Sequence, residues 1–173
     1  MPIDNGSGRR QEFEEFAHAR ATQLYRSAFL LCGRHHEAED LVQETLAKVY
    51  AKWRGPFSRI DNPVAYAHTT LTRTFLSARR RRSNDEQAYA DVPEQPVADP
   101  ADSTDARLAL RGVLAELSAA DRAVLVLRYL EDLSVDEVAI RMRLSPGAVR
   151  NRSMRALDRL RHLVDDSMTI GKD

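Results

Sequence analysis

The sequence predicts an all-α protein made of two small helical domains joined by a flexible acidic linker. Apolar residues recur at steps of three and four along most of the chain, which is the period of an amphipathic helix. Helix-start signals built from Ser, Asp, Asn and Pro precede these periodic segments. A proline-containing segment without a basic residue, 83–106, separates one group of helices from the other.

The charge distribution supports this division. The chain has 173 residues, with 26 Lys and Arg against 26 Asp and Glu. Residues 1–82 contain 14 basic and 9 acidic residues. Residues 83–106 contain 7 acidic residues and no basic ones, and residues 107–173 contain 12 basic and 10 acidic residues. An acidic segment with 3 prolines and few bulky apolar side chains cannot bury a core. We therefore expect two domains, 1–82 and 107–173, with a linker at 83–106.

Three helices are predicted in the first domain. The first ends near Gly33, and the second begins at His35 or His36. The third begins after Asp61-Asn62-Pro63 and finishes in the run from Arg79 to Arg82. Residues assigned to the core of this domain include Leu24, Ala28, Val42, Val49, Trp53, Leu71 and Phe75.

Two consecutive helix starts in the second domain share one pattern. Ser134 is followed by Glu137 three residues later, which is a capping box. Ser145 precedes Pro146, a residue favoured at the first helical position. Only a short turn separates the two helices, so the segment is predicted to be a helix-turn-helix.

The second of these helices carries side chains suited to DNA. Arg150, Asn151, Met154 and Arg155 project together from its first two turns, where recognition helices touch base edges. Arginine can donate two hydrogen bonds to guanine, and asparagine can form a similar pair with adenine. Arg152 and further arginines flank this set and can hold phosphates. The alternative interpretation is a solvated basic helix face.

Several classes of protein are disfavoured by the sequence. No apolar run approaches the length of a membrane span, and the polar N-terminus does not resemble a signal peptide, so we expect a cytoplasmic protein. We find no Gly-rich phosphate loop, nucleophile motif or metal-ligand spacing. Catalysis, a cofactor and a bound metal are therefore not expected.

Three segments resemble the extracytoplasmic-function (ECF) sigma factors of bacterial RNA polymerase, in the sigma-70 family, and specifically their SigE-like group. They are DLVQETLAKVY at 40–50, the N-P-x-A-Y helix start at 62–66 with its arginine-rich end, and LSAADRAVLVLRYLEDLSVDEVA followed by SPGAVRNRSMRALDRL. The first half is similar to the sigma-2 helical bundle of that family, and residues 107–164 to its sigma-4 helix-turn-helix domain. The resemblance covers almost the whole chain apart from the linker and termini.

The resemblance implies a transcription initiation factor that binds core RNA polymerase, at its clamp coiled coil and its flap, and directs it to promoter DNA. Docking on the clamp is implied for Asp40, Leu41, Gln43 and Glu44. The competing interpretation is an ordinary solvated face with pairs such as Glu44 with Lys48. The linker is implied to enter the polymerase near its active-site cleft, and a passive tether remains the alternative.

Roles at the two promoter elements are implied in the same way. The minus-35 element is assigned to Arg150, Asn151, Arg152, Met154 and Arg155. Opening the minus-10 element and holding its non-template strand is assigned to Phe57, His68, Arg73, Arg79 and Arg80. Two alternatives stay open: a dimeric helix-turn-helix regulator that binds duplex DNA unaided, and an adaptor bound to an anti-sigma factor. If the chain is a sigma factor, an anti-sigma factor is also a candidate partner. No membrane partner is expected.

Overall fold

A computed structural model describes residues 5–55, 59–86 and 105–170. All regular structure in these residues is helical, which confirms the predicted fold class. The helices are α1 (Asn5–Cys32), α2 (His35–Trp53), α3 (Pro63–Glu86), α4 (Asp105–Ala115), α5 (Ala119–Leu125, continued by a π-helical turn, Val126–Leu130), α6 (Val135–Met142) and α7 (Pro146–Ile170).

The first three helices form one bundle. α1 and α2 are joined by a tight turn in which Gly33 adopts a left-handed backbone, with φ of 75°, and donates its N–H to the Phe29 carbonyl at 2.7 Å. This is the usual way for a glycine to end a helix. α3 packs against both α1 and α2. The predicted core is confirmed, with these side chains buried: Leu24, Ala28, Val42, Val49, Leu71 and Phe75.

α3 begins where the sequence predicts and ends later. The Asn62 side-chain oxygen accepts the N–H of Ala65 at 3.0 Å, which caps the helix. Trp53 was predicted to be buried in the core of the first domain. It packs against that core but is only partly buried. α3 continues past Arg82 to Glu86, so the start of the predicted linker is helical. Residues 87–104, which make up most of that linker, lie outside the described part of the chain.

The second domain consists of α4 to α7. The side chain of Ser118 accepts the N–H of Asp121 at 3.2 Å and so caps α5. α5 and α6 both pack against α7. Buried apolar residues at the centre of this domain are Val124, Leu127, Val138, Ala139 and Val149.

The two domains are in direct contact. Ala123 and Val126 of the second domain are buried in the same apolar cluster as the first domain's core. Arg122 joins the domains with polar contacts, because its Nη1 donates to the Leu31 carbonyl at the end of α1 and its Nε to the Leu114 carbonyl in α4. Burial, together with the nearby Arg79, lowers the pKa of the Arg122 guanidinium.

Candidate nucleic-acid interface

Both helices of the helix-turn-helix begin with the predicted caps. Ser134 Oγ accepts the N–H of Glu137 at 3.2 Å, and the Glu137 carboxylate accepts the N–H of Ser134 at 2.8 Å. The hydrogen bond from the Ser134 backbone is the main reason that the pKa of the Glu137 carboxyl is lowered. At the second helix, Ser145 Oγ accepts the N–H of Ala148 at 3.1 Å. These caps satisfy backbone donors that have no partner within the helix, so the start of α7 is well fixed.

The two faces of α7 are arranged as the sequence predicts. Val149 and Ala156 are buried against the rest of the domain, with Ser153 between them. Leu144, which precedes the cap, packs against the cluster that contains Val149. The opposite face carries four exposed side chains: Arg150, Asn151, Met154 and Arg155. We call these four residues the α7 face.

Arg152 differs from the other predicted minus-35 residues. Its Nη1 lies 2.8 Å from Oδ1 of Asp121, and its side chain is only 31% exposed. Asp121 belongs to the first turn of α5, so this ion pair holds α7 against α5. Arg152 therefore uses part of its guanidinium within the protein, which the sequence pattern did not predict.

A groove of about 560 Å³ lies between the C-terminal half of α2, the segment 59–62 and α3. Four cations line it: Lys48, Lys52, Arg59 and Arg73. It is also lined by one carboxylate, that of Asp61, and by hydrogen-bonding and aromatic groups from Asn62, Tyr66, Thr69, Thr70, Thr74 and Ser77. We call it the α2–α3 groove. Cations beside hydroxyl and amide groups suit the phosphates and unstacked bases of a single strand.

The predicted minus-10 residues that the structure describes are not brought together on one surface. Arg73 lines the α2–α3 groove, and Arg80 is exposed near the end of α3. Arg79 lies over the ring of Phe75 at 5.5 Å, and its Nη2 is 3.1 Å from the Glu37 carboxylate. Phe57 lies outside the described residues.

His68 requires a correction. Its side chain is 4% exposed, and its Nδ1 lies 2.8 Å from the carboxylate of Glu131 in the second domain. His68 was predicted to contact the minus-10 element, but in this arrangement it faces the other domain. The reason is a long-range partner 63 residues away, which helix periodicity does not reveal.

Three cations of the α2–α3 groove were not among the predicted minus-10 residues: Lys48, Lys52 and Arg59. A signal was present, because Lys48 and Lys52 are four residues apart and therefore share one face of α2. Lys48 also donates to Thr74 Oγ1 at 3.0 Å, which connects α2 to α3 beside the groove.

The predicted polymerase-docking residues divide into two groups. Asp40, Gln43 and Glu44 are exposed on α2, and we call them the α2 acidic face. Leu41 requires a correction, because it is 6% exposed and belongs to the first domain's core. Its side chain is therefore not presented to a partner. Glu44 forms the expected pair with Lys48, at 2.8 Å.

The single cysteine is chemically protected. Cys32 is at the end of α1, and burial raises the pKa of its thiol to about 12, with a smaller contribution from Glu37. The nearby Arg79 and Arg122 lower the pKa of this thiol, but by less than burial raises it. Since the thiolate is the reactive form, Cys32 is held as an unreactive thiol at neutral pH.

Two further observations concern the whole described part of the chain. None of its helices is both long enough and apolar enough to cross a membrane. Across residues 5–55, 59–86 and 105–170, no group of three or more His, Cys, Asp and Glu side chains is arranged to hold a metal ion.

Comparison with known families assigns both domains. Residues 16–84 match the family described as Sigma-70 region 2, and residues 107–160 match the family described as Sigma-70, region 4. These are the first domain with its α2–α3 groove and the second domain with its helix-turn-helix.

Curated relatives match over most of their own length. RNA polymerase sigma-E factor of Streptomyces coelicolor is 35% identical over 154 residues, which cover 87% of this chain and 84% of that protein. ECF RNA polymerase sigma factor SigL of Mycobacterium tuberculosis is 31% identical over 148 residues, which cover 82% of each chain.

Solved structures of sigma factors support the same assignment. The sigma factor RpoE of Bartonella quintana, in complex with the anti-sigma factor NepR, has a TM-score of 0.73 and 29% identity, and the match covers 90% of this chain and 98% of that one. CnrH, in complex with the cytosolic domain of CnrY, has a TM-score of 0.63 at 22% identity, which supports the fold. The chain therefore belongs to the ECF sigma factors of the sigma-70 family.

Proposed function

We propose that this sigma factor recognises the minus-35 element with the α7 face and holds the non-template strand of the minus-10 element in the α2–α3 groove. The observation that carries the proposal is the α7 face itself. Its four side chains are exposed together on the first turns of a helix whose N-terminus is fixed by the Ser145 cap. Membership of the family supplies the context, which is promoter-directed initiation with core RNA polymerase.

The chemistry of the α7 face suits recognition of duplex DNA. Arg150 and Arg155 can each donate two hydrogen bonds to a guanine edge in the major groove, and Asn151 can donate to and accept from adenine. Met154, 59% exposed, adds an apolar surface for a thymine methyl group. The neighbouring Arg159 is exposed further along α7 and is assigned to phosphate.

The α2–α3 groove suits an unpaired strand. Lys48, Lys52 and Arg59 provide positive charge for the sugar-phosphate backbone. Tyr66 supplies an aromatic ring, and Asn62 supplies an amide for hydrogen bonds to a base edge. Because the described groove contains few aromatic residues, we expect it to hold a small number of unstacked bases.

The α2 acidic face is proposed to dock on the clamp coiled coil of the polymerase. Asp40 and Glu44 are one helical turn apart and exposed, so they present two carboxylates in the same direction. Leu41 supports this face from below through its packing in the core. The second domain is proposed to contact the polymerase flap, and the factor is placed in the cytoplasm, where both polymerase and promoter are found.

An anti-sigma factor is a further proposed partner. Its support is the match to RpoE of Bartonella quintana, whose structure contains the anti-sigma factor NepR. That match covers 90% of this chain. Copurification of the tagged full chain from its own host tests this point, and capture of a protein that blocks promoter binding is the expected result.

Reconstituted transcription tests the main proposal. The purified chain is mixed with core RNA polymerase and a library of random-sequence promoters, and the transcripts that start are sequenced. We expect a shared two-part motif at initiating promoters. No initiation, together with dimeric binding of free duplex, would contradict the proposal and favour a conventional regulator.

A paired substitution tests the docking assignment in the same system. Asp40→Asn with Glu44→Gln removes both charges of the α2 acidic face while keeping the side-chain shapes. We expect weaker association with core polymerase and an unchanged melting temperature. Glu116→Gln, on an exposed turn of the second domain, is the matched control. Unchanged core association in the paired variant would contradict the assignment.

A further inference from the structure

The turn between α6 and α7 contains an arginine in a backbone conformation that arginine rarely adopts. Arg143 has a φ of 56° and a ψ of 45°, which is the left-handed region. Among the described residues, Gly33 and Asp132 also have a positive φ. Glycine adopts this region freely and aspartate tolerates it, whereas arginine has neither advantage. The residue type of Arg143 therefore does not explain its conformation.

The hydrogen bonds at the end of α6 require the left-handed backbone. The N–H of Leu144 donates to the carbonyl of Ala139 at 2.9 Å, and the N–H of Arg143 donates to that of Ile140 at 3.4 Å. These two bonds form a Schellman motif, in which the residue at position 143 is usually glycine. Leu144 also packs against the apolar cluster that contains Ala139. The turn is thus fixed by its neighbours, and glycine would fit it with less strain than arginine.

The charge of Arg143 is not needed to stabilise the end of α6. Cations are favoured at a helix C-terminus, but two others are already present there. Arg141 lies in the last turn of α6. Arg73 of α3 donates from Nε to the Arg141 carbonyl at 2.9 Å and from Nη2 to the Ile140 carbonyl at 3.3 Å. A third cation at the same helix end adds repulsion between like charges.

The Arg143 side chain is exposed, and its guanidinium makes no hydrogen bond or ion pair with another described residue. Other arginines of this domain are paired. Arg141 lies 3.0 Å from the Glu131 carboxylate, and Arg152 lies 2.8 Å from that of Asp121. A strained and unpaired arginine contributes nothing to the fold that glycine would not supply. Strain of this kind is concentrated at functional sites.

The position of Arg143 in the helix-turn-helix places its charge close to bound DNA. Arg143 lies two residues before Ser145, the cap at which α7 begins. In a helix-turn-helix, the second helix enters the major groove by its N-terminal residues, and the first helix crosses the sugar-phosphate backbone. A side chain between the two helices is therefore next to phosphates at the edge of the groove. An arginine there can pair with a phosphate through two N–H groups.

We propose that Arg143 binds a phosphate at the edge of the minus-35 element and so positions the α7 face on the duplex. The proposal rests on the proposed function, because it requires the α7 face to lie in the major groove. A phosphate contact carries no sequence information, but it fixes the register of the protein on the DNA. Arg143 is thus a positioning residue, and the residues of the α7 face read the bases.

Two substitutions at position 143 separate the charge from the backbone. Arg143→Ala removes the guanidinium and keeps the strain, whereas Arg143→Gly removes both. We expect the melting temperature of the Gly variant to exceed that of the Ala variant by about 2–4 °C, because only glycine adopts the left-handed region freely. Both variants, as complexes with core RNA polymerase, should bind promoter DNA equally weakly. A loss of binding in the Ala variant alone would overturn the proposal, because it would show an effect of strain.

The salt dependence of promoter binding identifies a phosphate contact. Each such contact contributes about 0.9 to the slope of log affinity against log salt. The loss caused by Arg143→Ala should therefore be about threefold larger at about 50 mM salt than at about 200 mM. It should also be the same on every single-base variant of the minus-35 element. Arg143→Lys keeps the charge and should retain most of the binding. Loss of binding in the Lys variant as large as that in the Ala variant would overturn the assignment to phosphate.

Asp132→Gly is the matched control. Asp132 precedes α6 as Arg143 follows it, and it is likewise exposed with a left-handed backbone, at a φ of 51°. This substitution also places glycine beside α6, but it removes no cation, so it should not weaken promoter binding. A loss as large as that of Arg143→Gly would show that glycine in these turns weakens binding by itself, and the proposal would be wrong.

Arg155→Ala in the same assay separates failure of this proposal from failure of the proposed function. If Arg155→Ala weakens binding but Arg143→Ala has no effect at either salt concentration, the phosphate contact alone is wrong. If neither substitution affects binding, the assignment of the α7 face to the minus-35 element is wrong, and the role of Arg143 is wrong with it.

Discussion

Arg150 and Arg155 extend from α7 into solvent, whereas Arg73 and Arg79 of α3 donate hydrogen bonds to other groups of the protein. The difference follows from what surrounds each helix. α7 packs its inner face against α4, α5 and α6 and leaves its first turns open on the other side. α3 lies between α2 and the second domain, so cations on it meet carboxylates and carbonyl groups. Charge alone therefore does not show which arginines are available to DNA.

The largest expected effect is a loss of stability on truncation of a buried side chain of α3. Leu71 is fully buried in the core that both domains share. Leu71→Ala should lower the free energy of unfolding by about 2–5 kcal/mol, because it leaves a cavity in a packed core. Denaturant unfolding followed by circular dichroism measures this. Gln23→Ala, at an exposed position of α1, is the control and should change stability by less than about 0.5 kcal/mol.

The next effect tests the exposed arginines. Arg155→Ala should cost about 1–3 kcal/mol of promoter binding by the polymerase complex, and it should relax the preference at one base pair of the minus-35 element. Arg159→Ala is the comparison, since a phosphate contact weakens binding equally on all sequences. Binding to a panel of single-base promoter variants measures both. A uniform loss in Arg155→Ala would show that this residue also contacts phosphate.

A smaller effect should separate the two neighbouring arginines of α3. Arg79→Gln removes the ion pair with Glu37, and with 32% of the arginine side chain exposed we expect a loss of only about 0.5–1 kcal/mol of stability. Arg80→Gln should leave stability unchanged. It should reduce the salt dependence of promoter binding by about one phosphate contact. Equal stability losses in the two variants would remove the distinction between them.

Near neutral pH, the smallest effect on stability concerns Cys32. With its thiol pKa raised to about 12, the native protein should resist a thiol reagent at pH 8 and react fully once unfolded in guanidinium. The raised pKa also means that stability falls as pH rises above about 9, where the thiol of the unfolded chain ionises first. Cys32→Ala should remove that part of the pH dependence. Fast labelling of the native protein at pH 8 would contradict the prediction.

Local patterns predicted the helix-turn-helix closely. The capping box of Ser134 with Glu137, the Ser145 cap and the division of α7 into buried and exposed faces all depend on residues a few positions apart. The same is true of the Gly33 stop and the Asn62 cap in the first domain. Such features are set by short-range hydrogen bonds and helix periodicity, which a single sequence contains.

Long-range pairs were not predictable in this way. His68 with Glu131 and Arg152 with Asp121 join residues 63 and 31 positions apart, and each pair takes a predicted DNA-binding residue into the fold. Leu41 shares its helix with an exposed acidic face but points to the core. The π-helical turn before Glu131 has no pattern of its own in LVLRYLE. These features depend on how the helices pack together.

The contacts of Arg122 have a consequence for dividing the protein into fragments. This one side chain donates to the carbonyl of Leu31 in α1 and to carbonyls of Leu114, Ala115 and Leu117 around the end of α4. Two separate polypeptides, one ending after α3 and the other beginning at α4, would keep complementary surfaces. If the two halves are expressed in one cell, they should reassemble without a covalent connection. The chain is therefore suited to a split-protein design in which each half is expressed separately and their assembly is the signal.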